Sequence, residues 1–596
     1  MTVLLDDGLS WRDVAHIGKG EALRVSDAAY LRIDRASQIV DSIVESGVRA
    51  YGINTGVGAL SDTVVDRTAQ GRLSRSIILS HACGVGPLLD PREVRAIMAA
   101  QIANFAHGHS GVRREIVSHL STFLEQDCIP DVPSRGSAGY LVHNAHVALV
   151  LIGEGQARLG GRVMSGRDAL AAMGLQPIVL GAKEGLSLVN GTACATGLSC
   201  MALARANHLL DWADAIAALT LEAAGCQIDA FDETVLALRP STGIAAVGAA
   251  LRSRLEGSGL VAAAHGRRTQ DALSLRAVPH AHGAARDIFD ACASIVDREL
   301  ASVTDNPAIL GTPEQPIVSS EAHAVAPALG QAADSLAIAI AQIASMSERR
   351  IDRLVNPLVS GLPPFLATDA GSHSGFMIAQ YTAVALVGDS RRLSAPASTD
   401  GGLTSGLQED FLSHPTAAAN KLLAVLDNAE YILAIEWMAG VQAHDFLENV
   451  AGRAAGTNAV YNLLREHLQP YSDDRPLSAD MEKARLLLRD FSPTGYVIES
   501  RKARALHGER QIDTLGADEG QAFAPCSPAD NVKAPGGRFM PLRKHPGFAV
   551  DRGNVRPALG HCDDGSAVRT GFETIFKQIE ARAFCFQIAF QAEIAG

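Results

Sequence analysis

Aromatic residues are scarce in this chain of 596: Phe, Trp and Tyr together make up 5% of it, and only three are Trp. The interior must therefore be built from aliphatic side chains. At 47% hydrophobic residues there are enough of these for a large core, which excludes a wholly disordered chain. Positive charge is also in deficit, with 52 Lys and Arg against 65 Asp and Glu and a net charge of -13 spread along the chain. A partner held by neutralising its phosphates, such as a nucleic acid, is excluded on that ground. The nine cysteines lack any CxxC pair and any dense even spacing, so a disulfide framework gives way to reduced thiols in a cytoplasm. No apolar run reaches membrane-span length without polar interruption, and the first twenty residues carry three acidic residues and no cationic lead into an apolar segment. The expectation is a soluble, cytoplasmic protein with no membrane partner.

Familiar motifs are missing too. There is no Walker A sequence and no GxSxG, and Gly84-Val85-Gly86-Pro87-Leu88-Leu89 fails as a dinucleotide fingerprint because Pro87 interrupts it and no strand is predicted before it. His143 with His146, and His280 with His282, have no convergent thiolates or carboxylates, so they read as structural histidines and no metal site is expected. No internal repeat is present.

What the sequence has in abundance is helix. From about residue 20 to 490 helical signals dominate; Leu329 to Ala344 is Ala- and Ile-rich without a breaker after Gly330, and Ser413 to Glu448 repeats the pattern. Both read as long buried helices, so the fold class is mainly α, a long-helix bundle with a loop-rich N-terminal region. Strand candidates are short: Arg162 to Met164 and Pro177 to Leu180. Residues 50–62 and 130–140 read as ordered loops inside the domain. Three regions result: 1–200, loop-rich and bearing the candidate active site; 201–495, the central bundle; and 496–596, an atypical tail. The tail is Pro/Gly-rich and aperiodic, and five of the 17 Phe crowd between Phe572 and Phe590.

Several polar, glycine-flanked segments stand out from this apolar background: Tyr51-Gly52-Ile53-Asn54-Thr55-Gly56-Val57-Gly58, Ser80-His81-Ala82-Cys83-Gly84-Val85-Gly86, Leu188-Val189-Asn190-Gly191-Thr192, Gln270-Asp271-Ala272-Leu273-Ser274-Leu275-Arg276 and Thr404-Ser405-Gly406-Leu407-Gln408-Glu409-Asp410. Singly, each reads equally well as a cap or a turn. Together they supply a base, a clamp for a carboxylate and amide donors.

At these residues the chain resembles the histidine and aromatic amino-acid ammonia-lyase family. YGINTGVG, LSHACGVG, LVNGT, QDALSLR, VTDNP, SERRIDRLVNP, LPPFL, SGFMIAQ and ILAIEW carry the likeness in order over about residues 45 to 450. The resemblance implies a mostly helical protomer, a homotetramer whose sites combine several subunits, and a small-molecule amino-acid substrate. It implies elimination of ammonia to give an acrylate, assisted by a methylidene-imidazolone electrophile that the family cyclises from an Ala-Ser-Gly triplet. Carried over residue by residue, it makes Tyr51 the proton-transfer residue, Asn190 a donor near the electrophile, and Glu409 a binder of the amine or a helper in proton transfer. Arg276 becomes the clamp for the substrate carboxylate, a role that suits a bidentate guanidinium. Gln270 and Gln408 join it in substrate binding, and His81 is similar to the side-chain selector of histidine-specific members.

The departures from the family pattern lie at the electrophile. Between Gly136-Ser137-Ala138-Gly139 and Tyr140-Leu141-Val142-His143 the Ala-Ser-Gly triplet is absent, a deletion of three residues. Tyr140 stands where the family has aspartate, Leu273 where it has tyrosine, and His323-Ala324-Val325 where Asn-Phe-His is expected. Either the protein lacks the prosthetic group, or a cyclised triplet stands between Gly139 and Tyr140 that the sequence does not write; the companion substitutions favour the first. No cofactor is then expected. Elimination of trimethylamine from a histidine-type betaine, as in ergothionase-like relatives, a 2,3-aminomutase and a silent homologue are the alternatives. Tyr51 and Glu409 are expected to meet Asn190 and Arg276 only in an oligomer.

Overall fold

The computed structural model describes residues 2–447 and 452–494, all within one compact unit, Met1–Ile512. The atypical tail expected over 496–596 lies outside the described residues.

Long helices form the body. Ala193–Ala223, Pro327–Val355 and Pro415–Asp445 pack side by side, flanked by Pro91–Ala106, Val278–Leu300 and Met377–Leu393. Their Ala-rich sequences have high helix propensity and short side chains, so the helices approach closely. At Gly197 the approach is close: a Cβ there would stand 2.6 Å from the Ile97 backbone nitrogen, so only glycine fits the crossing with Pro91–Ala106. The Ala193–Ala223 helix runs unbroken across position 200, so residues 1–200 and 201–495 share it. Two of the three tryptophans go to the centre, where the rings of Trp212 and Trp437 lie 4.7 Å apart.

Two pairs of opposite charge are buried in the bundle. Arg350 and Glu436 are wholly buried, joined by Nε–Oε1 at 2.6 Å and a terminal guanidinium N–Oε2 contact at 2.8 Å, with the Thr220 hydroxyl donating to Glu436 at 2.8 Å. Lys183 and Asp305, also fully buried, meet at 3.3 Å beside Ser110 and Ser187.

The expected helix over Leu329 to Ala344 lies within Pro327–Val355, but its burial is one-sided: Gln331, Ser335, Ile338 and Gln342 form an exposed stripe. Arg162–Ser165 is a strand, paired antiparallel with Gln156–Leu159. Pro177 to Leu180 is not. Its backbone is irregular, with Ile178 N–H donating to the Leu151 carbonyl. The segment Val85–Leu88, where no strand was predicted nearby, pairs antiparallel with Pro133–Arg135 and so fixes the loop that follows. The stretch Glu184–Ala223 is long and apolar enough to cross a membrane, and its most apolar window is entirely buried inside the protein.

Candidate active site

The Tyr51 loop follows the Asp27–Ser46 helix and is ordered by its own side chains. Asn54 accepts from Ala50 N–H at 2.8 Å and donates to the Val48 carbonyl at 2.8 Å, while Thr55 Oγ1 accepts from Gly52 N–H at 3.1 Å. Gly52 has φ +66° and a Cβ there would fall 2.3 Å from Leu186 Cδ2, so two separate constraints demand glycine. Gly52→Ala is expected to lower stability by about 1–2 kcal/mol through the left-handed backbone; urea unfolding of the variant beside the parent measures it. The loop presents Tyr51, whose hydroxyl accepts the Gly58 N–H at 3.2 Å. Burial raises the Tyr51 pKa, the Gly58 contact opposes this, and the Glu409 carboxylate adds to the rise.

Glu409 closes a tight loop with Thr404: their backbones exchange hydrogen bonds at 2.9 and 3.3 Å, and the Thr404 hydroxyl donates to the carboxylate at 3.0 Å. Ser405 ties this loop to the first, its Oγ accepting from Ala59 N–H at 3.1 Å. Tyr51 and Glu409 therefore meet within one chain. The 51–59 and 404–409 loops are held together directly, while Arg276, which the expectation paired with them only in an oligomer, lies among other elements.

The junction at Gly139 and Tyr140 joins the same cluster. Ser137 Oγ accepts from Gly139 N–H at 3.2 Å and donates to the Tyr140 carbonyl at 2.9 Å, folding the four-residue segment on itself. Thr416 Oγ1 donates to the Gly139 carbonyl at 2.8 Å and Asn420 Nδ2 to the Ser134 carbonyl at 3.1 Å, so the shortened loop is pinned to the start of the Pro415–Asp445 helix. It closes through Leu141 at φ 81°, ψ -65°, with Val142 N–H reaching the Tyr140 carbonyl at 3.2 Å: a γ-turn, a costly conformation for leucine. Tyr140 is thereby placed among Glu409 and Tyr51, and burial, then Glu409, then Tyr51 push its pKa up to about 12.

These residues do not fit the family's electrophile. No Ala-Ser-Gly triplet is present; Ser137 is followed by Ala138, and its hydroxyl is already committed to Gly139 and Tyr140. What the segment offers instead is a phenol.

Three helices begin around this point: Val142–Leu151, Ala193–Ala223 and Pro415–Asp445, none with a side-chain cap. Thr416 links them, bonded to Gly139 and within hydrogen-bonding reach of the Cys194 thiol. Uncapped N-termini leave free N–H groups and a partial positive charge, which favours anionic groups nearby.

The remaining candidates are placed differently. Asn190 is buried at the end of the Glu184–Val189 helix, its Nδ2 donating to the Asn306 carbonyl at 2.9 Å and its Oδ1 accepting from Gly191 N–H at 2.9 Å. Both ends of the carboxamide thus serve the backbone beneath the Tyr51 loop, which rests on Pro307 through Gly52. His81 is bonded through Nδ1 to the Ile77 carbonyl at 2.8 Å and lies 3.1 Å from Ser80 Oγ. Arg276 donates from Nε to the Asp271 carbonyl at 3.0 Å, in a neighbourhood formed with Gln227 and Arg268, while Gln270 and Gln408 are exposed. One chain thus gathers Tyr51, Glu409, Tyr140 and, behind them, Asn190, and leaves Arg276 and Gln270 among other elements. Sequence reasoning missed Thr416 and Ser137; Pro415-Thr416 at a helix start was the one available signal for the former. Burial lowers the pKa values of both His143 and His146, and His146 Nε2 accepts the Gly84 N–H at 3.0 Å. Among the described residues no group of three or more His, Cys, Asp or Glu could hold a metal ion. A cavity of about 540 Å³ between Trp11, Arg205, Trp212 and Glu430 contains none of the candidate residues.

Residues 9–466 match the family model described as aromatic amino acid lyase. Histidine ammonia-lyase of Natranaerobius thermophilus is 38% identical over 493 residues, 82% of this chain and 97% of that protein. The crystal structure of histidine ammonia-lyase from Trypanosoma cruzi superposes with a TM-score of 0.77 at 32% identity, covering 87% of this chain and all of that one. Ergothionase from Treponema denticola, an ergothioneine-degrading enzyme, gives 0.77 at 29% identity, over 82% and 99%.

Proposed function

The chain belongs to the aromatic amino acid lyase family, and from that premise we propose that it is a carbon–nitrogen lyase that eliminates ammonia from histidine or an aromatic amino acid to give an acrylate. The observation that carries this reading is the meeting of Tyr51 with Glu409 in loops bonded to each other. A β-proton of an amino acid is very weakly acidic, so its removal needs an acceptor at a fixed place and a route for the charge that develops. Tyr51 takes the proton and Glu409 supports it as acceptor or binds the departing amine. The uncapped helix ends favour the carboxylate side of the substrate.

Arg276 and Gln270 complete this site from a neighbouring copy, as they lie apart from Tyr51 in the chain itself. A homotetramer fits that requirement, and the exposed apolar residues Ile338, Ile378 and Tyr381 fit a subunit interface. His81 and Gln408 select the side chain and hold the amine. Asn190 acts as a brace through Asn306, and residues 1–200 serve as the active-site region of a cytoplasmic enzyme.

A second reading is favoured by the Gly139–Tyr140 junction. Without an internal electrophile, an amine that leaves unaided is the better substrate, and a quaternary ammonium departs as a neutral tertiary amine. The likeness to ergothionase supports elimination of trimethylamine from a histidine-type betaine at the same site. An ultraviolet assay for the conjugated acrylate, run on histidine, tyrosine, phenylalanine and their betaines, is expected to show product and to rank the two readings. If none of the six gives an absorbing product, the lyase reading fails.

A further inference from the structure

The missing triplet brings a new side chain into the site. We propose that Tyr140 is a positioning residue whose hydroxyl donates to the Glu409 carboxylate and holds it beside Tyr51. This rests on the reading of the cluster as the lyase site.

The geometry that places Tyr140 is over-determined. Its carbonyl accepts from both Ser137 Oγ and Val142 N–H, the preceding carbonyl accepts from Thr416, and Leu141 adopts a costly left-handed turn to close the chain. A backbone outlier kept by this many contacts suggests a gain elsewhere. On the other side, Glu409 is anchored by Thr404, and its loop is bonded to the Tyr51 loop through Ser405. Both phenols thus lie within electrostatic reach of one carboxylate. The titratable groups around Tyr140 are Glu409 and Tyr51 on the facing loops, His414 at the start of the Pro415–Asp445 helix, with its Nε2–H donating to the Gly401 carbonyl, and buried His143 on its own helix. With its pKa pushed up to about 12, the Tyr140 phenol stays protonated through the working range and can only donate to the carboxylate.

During elimination the β C–H bond breaks and its proton goes to the Tyr51 oxygen as the Tyr51 proton passes to Glu409. The C–H electron pair becomes the Cα–Cβ double bond, and the Cα–N pair leaves with the amine. Tyr140 exchanges no proton. It keeps the carboxylate oriented toward Tyr51.

Tyr140→Phe keeps the ring and deletes the donor. Its kcat is expected to fall about 10-fold, the loss of a hydrogen bond to a charged group, with KM within about twofold of the parent. A double-mutant cycle with Glu409→Gln should show no further loss from Tyr140→Phe. Additive losses would overturn the proposal. A second readout is independent of turnover: with 3-fluorotyrosine incorporated, the fluorine resonance that disappears in Tyr140→Phe should move when Glu409 becomes Gln. A resonance that stays in place overturns the proposal even if no substrate is found. If the resonance moves but no acrylate forms, the lyase reading fails and the Tyr140–Glu409 contact stands.

Discussion

Replacing Tyr51 by phenylalanine is expected to reduce kcat about 1,000-fold while leaving KM nearly unchanged, within the roughly 100- to 10,000-fold range typical of a lost proton-transfer group. The ring and its packing survive the change. The loop keeps its form because Asn54 and Thr55, not the phenol, hold the backbone of residues 48–55. What disappears is the oxygen that accepts the Gly58 N–H and faces Glu409. Acrylate formation followed by ultraviolet absorbance across pH checks the result. A phenylalanine variant retaining more than about a third of the parent kcat would remove Tyr51 from the reaction, since even a weak general-base role exceeds that loss.

Arg350→Ala is expected to cost about 3–5 kcal/mol of stability, because it leaves the fully buried Glu436 carboxylate without its partner. That is a large share of the roughly 5–15 kcal/mol by which folded proteins are stable. Thr220 still donates to the carboxylate, but one neutral hydrogen bond does not replace a bidentate guanidinium. The paired change Arg350→Met with Glu436→Leu should recover most of the loss, since it removes both charges from the interior. Denaturant midpoints for the parent, the single variant and the pair measure this; a single variant as stable as the parent would show that water reaches the site.

The bundle was legible because its signal is local. Ala- and Ile-rich runs such as 329–344 have no plausible alternative to a helix, and glycine-flanked polar segments such as 51–58 and 404–409 stand out against them. Burial was less legible: Ile338 looks like a core residue by composition, and only the arrangement of neighbouring helices leaves its stripe exposed. Pro177 to Leu180 has strand-like side chains but finds no partner strand, a fact its own residues do not encode. Tyr140 was visible as the residue beside the deletion. Of the contacts that aim it, Ser137's is local, but Thr416's comes from the start of a helix 277 positions away, and hydroxyl residues of this kind carry no distinctive spacing. Arg276 and Gln270 were recognised only by resemblance.

The bond between Ala59 and Ser405 closes a separation of 346 residues. Polypeptides are synthesised at roughly 5–20 residues per second, so on the order of 20–70 s pass between the emergence of the Tyr51 loop and that of the segment that completes the cluster. Throughout that interval the glycine-rich loop must hold its shape without Glu409. The small hydrogen-bonded frame of Asn54 and Thr55 lies entirely within a few residues of Tyr51, so it can form as soon as those residues leave the ribosome. The half of the site that waits is thus the half that needs no partner to be ready.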